Sequence, residues 1–294
     1  MKVSQEDAKG STVPRRQLGR YLRDLRNRAR FPVKLAATKF EWSETKMWRI
    51  ESGLTSMRSH EVEMMCRAYG APADTTAALM ALAKETRANS WWVSYSDIIP
   101  DYLDLYIGLE DVAAELEGYW TELVPGLLQT ERYARAVIEA GPAPERVEPR
   151  VQLRMARQVL ISRILSPLWV KIVLNEAVLH RLIGGTEVMI EQLRHLVVMS
   201  QRNNVAIRVM PFSAGFHPGA ATGPFAKLDF PTVANGAPSE PSTVYVEGFT
   251  GSLFLEKPNE IERYSKAFAD LWEASMSEVE SVNYIAKLAR EMQQ

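Results

Sequence analysis

Between Phe40 and Gly53 the chain has fourteen residues in which to leave one helix, turn, start another and end it. The residue types in "FEWSETKMWRIESG" are those each step needs. Ser43 is a good N-cap, and Trp42 directly before it with Met47 four residues after it makes a hydrophobic staple. Gly53 is a natural helix-ending residue. Burying Met47 and Ile50 on the inner face leaves Glu44, Thr45, Lys46, Trp48 and Arg49 mostly outside.

The neighbouring sequence supplies the rest of a helical core. From Arg15, the residues Leu18, Tyr21, Leu22, Leu25 and Ala29 repeat at amphipathic-helix spacing, and seven arginines between Arg15 and Arg30 give that helix a cationic face as well. Pro32 suits the first turn of a second helix, in which Leu35, Ala36 and Phe40 are apolar and Ala37 is small enough for another helix to approach. After the Ser43 helix, Val62, Met65, Cys66 and Tyr69 share one face of a fourth, and Thr75 to Thr86 carries Leu79 and Leu82 in a fifth. The expectation is an all-α N-terminal helix-turn-helix domain of five helices over 15–88, behind a disordered tail at 1–14.

Near Arg87 the helical periodicity fails, and "RANSWWVSYSDIIPDYLDLYIGLE" marks the domain boundary. Two helices follow, around "TERYARAVIEA" with Thr130 at its start and over Glu145 to Ser166 with Pro144 at its start. Strand-like runs come next in "LWVKIVL", "VAIRVMPF", "FAKLDF" and "TVYVEGF". Helices are expected at Glu187 to Arg202, Asn259 to Ala274 and Ser277 to Met292, and "TVANGAPSEP" reads as a long mobile loop. Residues 89–294 are thus a mixed α+β C-terminal domain, with effector, partner-binding and oligomerisation roles assigned to it.

Charge separates the two parts. Residues 1–90 hold 17 Lys and Arg against 10 Asp and Glu, whereas 91–294 hold 18 against 26. A basic first part beside an acidic second part fits a polyanion partner for the first, since phosphate neutralisation drives most nucleic-acid affinity. At 46% hydrophobic and 24% charged the composition is that of a globular protein. No apolar run is long enough to span a bilayer and "MKVSQEDAKGSTVPRR" is no signal peptide, so the expected place is the cytoplasm, on the nucleoid, with no membrane partner. The single cysteine, Cys66, excludes an internal disulfide and reads as a buried apolar residue.

Catalysis finds no support. His60, His180, His195 and His217 share no metal-ligand spacing, and neither a nucleophile elbow nor a phosphate loop is present. The reading is not an enzyme, with no cofactor and no metal. His217 lies in "PFSAGFHPGAATGPF", where glycines let a backbone wrap closely; His217, Phe216 and Gly219 are the candidate effector or partner contacts, against a plain connection between strands. "VPGLLQT" is a turn followed by a capping threonine, and Trp91 and Trp92 read as interdomain packing. Arg150, Arg154 and Arg157 share a helical face that could hold an anion, although pairing with nearby acids is the favoured reading. Glu51 is assigned an internal partner, Arg23 or Arg26.

On the Ser43 helix, Lys and Arg can donate to guanine, Thr can bond or touch a thymine methyl, and Glu can accept from cytosine in a major groove. "LGRYLRDLRNRARFPVKLAATKFEWSETKMWRIESG" resembles the helix-turn-helix of the Cro/repressor-like (xenobiotic-response-element, XRE) regulators. "YIGLEDVAAEL", "VPGLLQTERYARAV", "RMARQVL", "LNEAVLHRLIGG", "QLRHL", "VMPFSAGFHPG", "GPFAKLDF" and "VYVEGFTG" resemble, in that order, the effector-like domain of uncharacterised function (DUF5753) that follows it in antitoxin-like actinobacterial regulators. The resemblance implies a DNA-binding transcription regulator of development or specialised metabolism. Its DNA-binding residues carry over to Lys34, Ser43, Glu44, Thr45, Lys46, Trp48 and Arg49, with Lys34 on phosphate. The expected partners are double-stranded DNA, a second copy in a homodimer, and a small protein encoded by a neighbouring gene or a small-molecule effector. Repression is the expected sign; the alternative is an antitoxin-like protein that mainly sequesters a small partner. Glu41 stands where the family turn has glycine, at a cost of ~1 kcal/mol if its φ is positive.

Overall fold

The structure, a computed structural model, describes residues 12–86, 95, 99, 101–141, 146–232, 238–249 and 251–294. Trp91, Trp92, Pro100, Pro144, residues 1–11 of the tail, the 88/89 boundary and positions 233–237 of the loop lie outside these residues. The chain divides into two compact units, Met1–Gly108 and Leu109–Gln294, with the division inside a helix, Asp101–Val112.

From Thr12 to Glu85 the first unit forms five helices: α1 (Thr12–Arg28), α2 (Val33–Lys39), α3 (Glu44–Glu51), α4 (Ser59–Tyr69) and α5 (Ala73–Glu85). α1 packs on α3, α4 and α5, and α2 packs on α3. Their shared core holds Leu18, Leu22, Ala36, Ala37, Phe40, Met47, Ile50, Met57, Val62, Met65, Cys66, Tyr69, Leu79 and Ala83. Two apolar assignments fail: Tyr21 and Leu35 are 45% and 52% exposed. Each precedes a buried residue by one position, about 100° round the helix, which takes it off the inward stripe. α1 also starts at Thr12, ahead of Arg15, and Pro32 caps α2 from outside its first turn. Nor is the arginine face of α1 wholly outward, because Arg15 and Arg26 are buried.

In the second unit six strands form one mixed sheet: β1 (Glu115–Trp120), β2 (Trp169–Asn175), β3 (Val205–Met210), β4 (Phe225–Asp229), β5 (Thr243–Gly248) and β6 (Gly251–Leu255), in the order β3-β2-β1-β4-β5-β6. β1, β2 and β3 run parallel and β4, β5 and β6 pair antiparallel. The division helix is α6; α7 (Glu131–Glu139), α8 (Val147–Arg157) and α9 (Val159–Ser162) link β1 to β2, and α10 (Glu176–His180) and α11 (Thr186–Met199) link β2 to β3. The short α12 (Gly219–Thr222) precedes β4, and α13 (Pro258–Ala274) and α14 (Glu278–Glu291) end the chain. Alternation puts Tyr119, Val173, Met210, Phe225 and Val244 on one sheet face, where Phe268 and Leu271 of α13 cover them. The opposite face presents Leu116, Val170, Ile172, Leu174, Val205, Ile207 and Leu228, all buried.

The helix expected over 145–166 breaks after Arg157, resumes for one turn as α9, and stops at Ser162. Pro167 lies just beyond, and Ile164 and Leu165 are exposed. The sequence reading missed α6, β1, β6 and the short α10 and α12. In β1 the cause is Gly118, which has no side chain because a Cβ there would stand 2.4 Å from the Phe225 carbonyl oxygen.

Candidate nucleic-acid interface

The turn before α3 is built from backbone geometry. α2 ends in a Schellman motif: Trp42 N–H donates to Ala37 O at 2.9 Å and Glu41 N–H to Thr38 O at 3.2 Å, with Glu41 left-handed at φ 56°. Ser43 Oγ then accepts from Lys46 N–H at 3.1 Å and caps α3. A second Schellman motif closes α3, where Leu54 N–H donates to Arg49 O at 2.8 Å and Gly53 sits at φ 71°. One helix of eight residues is therefore fixed at both ends.

Glu51 fixes its rotation. The Arg26 guanidinium donates from Nε to Glu51 Oε1 at 2.6 Å and from Nη2 to Oε2 at 2.8 Å, while its Nη1 donates to Phe31 O at 2.8 Å. Both side chains are buried, so this is a bidentate pair in a dry setting, and the Glu51 hydrogen bond holds Arg26 above its ordinary pKa. Of the two arginines considered for Glu51, the partner is Arg26. Gly19 allows the contact: a Cβ there would meet Ile50 O at 2.5 Å. Burial pushes the Cys66 thiol and the Tyr69 phenol upward in pKa, which keeps both in their neutral, apolar-packing forms.

What remains outward is a stripe of mixed chemistry. Ser43, Glu44, Thr45, Trp48 and Arg49 are exposed on α3, and Lys34 is exposed in the first turn of α2. Trp48 is 60% exposed, and Leu35 and Leu54 are also exposed. Lys46 differs from the expectation of an outward side chain. Its Nζ stands 3.8 Å from the centroid of Trp42 and 3.4 Å from Glu61 Oε1, so it is half-buried and already partnered. Glu61, which also accepts from Arg58 N–H at 2.9 Å, was missed by the sequence reading; its place three residues into α4 marks it only as a capping acid. A groove of about 510 Å³ between the end of α2 and α4 is lined by Lys39, Phe40, His60, Glu63 and Arg67, but Glu63 and Arg67 pair at 3.3 Å and neutralise each other.

In the second unit, His217 and Gly219 meet at Tyr119 and Phe216 does not. The His217 ring stands edge-on to Tyr119 at 5.7 Å, with Nδ1 buried and without a partner among the described residues. A Cβ at Gly219 would lie 2.4 Å from Tyr119 Cε1. Phe216 points out, 88% exposed. Asn175 Nδ2 donates to Tyr119 OH at 3.0 Å, so the group lies at the carboxyl ends of parallel β1 and β2, where open α/β sheets place ligands.

Residues 17–79 match a helix-turn-helix domain, and residues 103–287 match the family described as "Domain of unknown function (DUF5753)". Neither the curated proteins nor the solved structures give a match. No described helix is long and apolar enough to cross a membrane. Since the second match spans more than half of the 294 residues, the chain belongs to the DUF5753 family and carries a helix-turn-helix domain ahead of that family's domain.

Proposed function

We propose that the chain is a sequence-specific DNA-binding transcription regulator of the Cro/repressor-like kind found in actinobacteria, acting in the cytoplasm as a homodimeric repressor and not as an enzyme. The observation that carries this reading is the outward stripe of α3, held rigid by two caps and the buried Arg26–Glu51 pair. In a major groove Arg49 donates to guanine, Thr45 bonds a base edge or touches a thymine methyl, and Glu44 accepts from cytosine. Trp48 and Leu35 supply apolar contact, and Lys34 meets phosphate. Lys46 reaches the DNA only by leaving Glu61 and Trp42, so its contribution is smaller than that of Arg49.

One helix in one groove reads a short site, so two copies on half-sites about 34 Å apart give the affinity a repressor needs. The DUF5753 domain supplies the second copy's contact and a sensing site, with His217, Phe216 and Gly219 as the loop that meets an effector. A second reading, antitoxin-like sequestration of a small partner protein, draws on Phe212 and Phe216, exposed at 63% and 88% in the same loop. Selection of bound duplexes from a random pool with the full-length protein tests the first. An inverted repeat enriched by wild type and lost by a Thr45→Ala/Lys46→Ala/Arg49→Ala variant supports it; no enrichment by folded protein overturns it.

A further inference from the structure

α8 sets Arg150, Arg154 and Arg157 four and three residues apart, on one stripe of the helix. Their surroundings differ. Arg157 donates from Nε and Nη2 to the two Glu110 oxygens at 2.7 and 2.8 Å, a buried pair whose charges cancel. Arg154 donates from Nη1 to Gln129 Oε1 at 2.9 Å, a neutral acceptor. Arg150 Nη1 is buried and no described residue accepts from it. Among the described residues no carboxylate forms an ion pair with Arg150 or Arg154. Two cations therefore stand side by side half-buried, a costly arrangement unless an anion joins them.

The surrounding turn is pinned as a binding site would be. Gln129 Nε2 donates to Val124 O at 2.6 Å, which fixes its amide oxygen toward Arg154. Gln158 Nε2 donates to Gly126 O and Gln129 O, and buried Gln192 donates to Leu128 O and accepts from Thr130 N–H. At Gly126 a Cβ would stand 3.7 Å from Arg154 Nε and 3.6 Å from Arg157 Nη1, so a longer side chain there would compete for the space beside the guanidinium groups. Burial, with the charges of Arg157 and Arg150, pulls the Arg154 pKa down to about 10; exposed Glu247 acts in the opposite sense. Burial beside like charges disfavours the charged form of a side chain.

We propose that Arg154, seated against the 124–130 turn, and Arg150, one helical turn before it, form a site for a small oxyanion, a phosphate or carboxylate group of a soluble ligand. Guanidinium forks match both groups bidentately, and a pinned turn loses little freedom on binding. The site lies wholly within the DUF5753 domain and stands whether or not α3 reads DNA. It gives that domain a ligand class.

Calorimetric titration of the full-length protein tests it, with inorganic phosphate in one arm and succinate in the other, at ionic strength matched by chloride. Wild type binds at least one of the two saturably, and the tighter one identifies the group. Arg154→Met and Arg150→Met each lower that affinity about tenfold or more while keeping the apolar stem. Arg150→Met carries the test if Arg154→Met fails to fold. No saturable heat with either anion, or unchanged affinity in a folded variant, overturns the site.

Discussion

Replacing Glu51 by Ala should unhinge the face that α3 presents. Arg26 is 7% exposed, and without Glu51 it keeps one internal acceptor, Phe31 O. Two charge-assisted bonds, at 2.6 and 2.8 Å, disappear and a cation is left in the core. Breaking a buried pair in this way costs roughly 3–5 kcal/mol, well above the ~1 kcal/mol of an exposed pair. Glu51→Gln keeps the shape and one acceptor and should cost about 2 kcal/mol. An Arg26→Leu/Glu51→Leu double variant removes both charges, so it should cost less than Glu51→Ala alone. Hydrogen exchange of the full-length chain in low urea, read on peptides covering 44–53, gives the local opening free energy. A loss below about 1 kcal/mol for Glu51→Ala, or a double variant at least as costly as Glu51→Ala, would refute the argument.

Glu41→Gly should stabilise the first unit by about 1 kcal/mol, because Glu41 holds a φ of 56° that glycine adopts freely; a loss of stability in the same exchange assay would count against this account of the turn. Gly219→Ala should disturb the His217 loop, since its methyl would stand 2.4 Å from the Tyr119 ring; unchanged chemical shifts at His217 and Tyr119 would contradict the close packing. Burial, opposed by Glu191, holds His195 below the ordinary histidine pKa of 6.5. The unfolded chain therefore takes up this proton first, so stability falls as pH drops below about 6.5 toward the folded value. His195→Leu should flatten that acid limb, compared by urea midpoints at about pH 7.5 and about pH 5; parallel limbs would exclude the histidine as the cause.

The helix-turn-helix unit was legible because its signals are local. Ser43, Met47 and Gly53 carry cap, staple and terminator within a dozen positions, and the inward spacing of Met47 and Ile50 leaves Glu51 facing α1. Where contacts are long-range the reading thinned. Glu110 sits on a helix whose aromatic run reads as a boundary, and its buried carboxylate makes sense only once Arg157, far along the chain, is beside it. Gly118 hides β1 for the same reason, since the carbonyl that demands a glycine belongs to β4. Lys46 looked like its neighbours on α3, and only the packing of α4 reveals the Glu61 carboxylate that draws it back. The Arg150 and Arg154 pair carried its ambiguity into the fold: pairing with acids holds for Arg157 alone.

The most direct test is titration of a selected duplex and a random duplex with wild type, Arg49→Ala and Lys46→Ala at two salt concentrations. The account predicts that Arg49→Ala loses ~1–3 kcal/mol on the selected duplex and little on the random one, with Lys46→Ala losing less. Equal losses on both duplexes would mean that Arg49 meets only phosphate, and the assignment of α3 as the reading helix would fall.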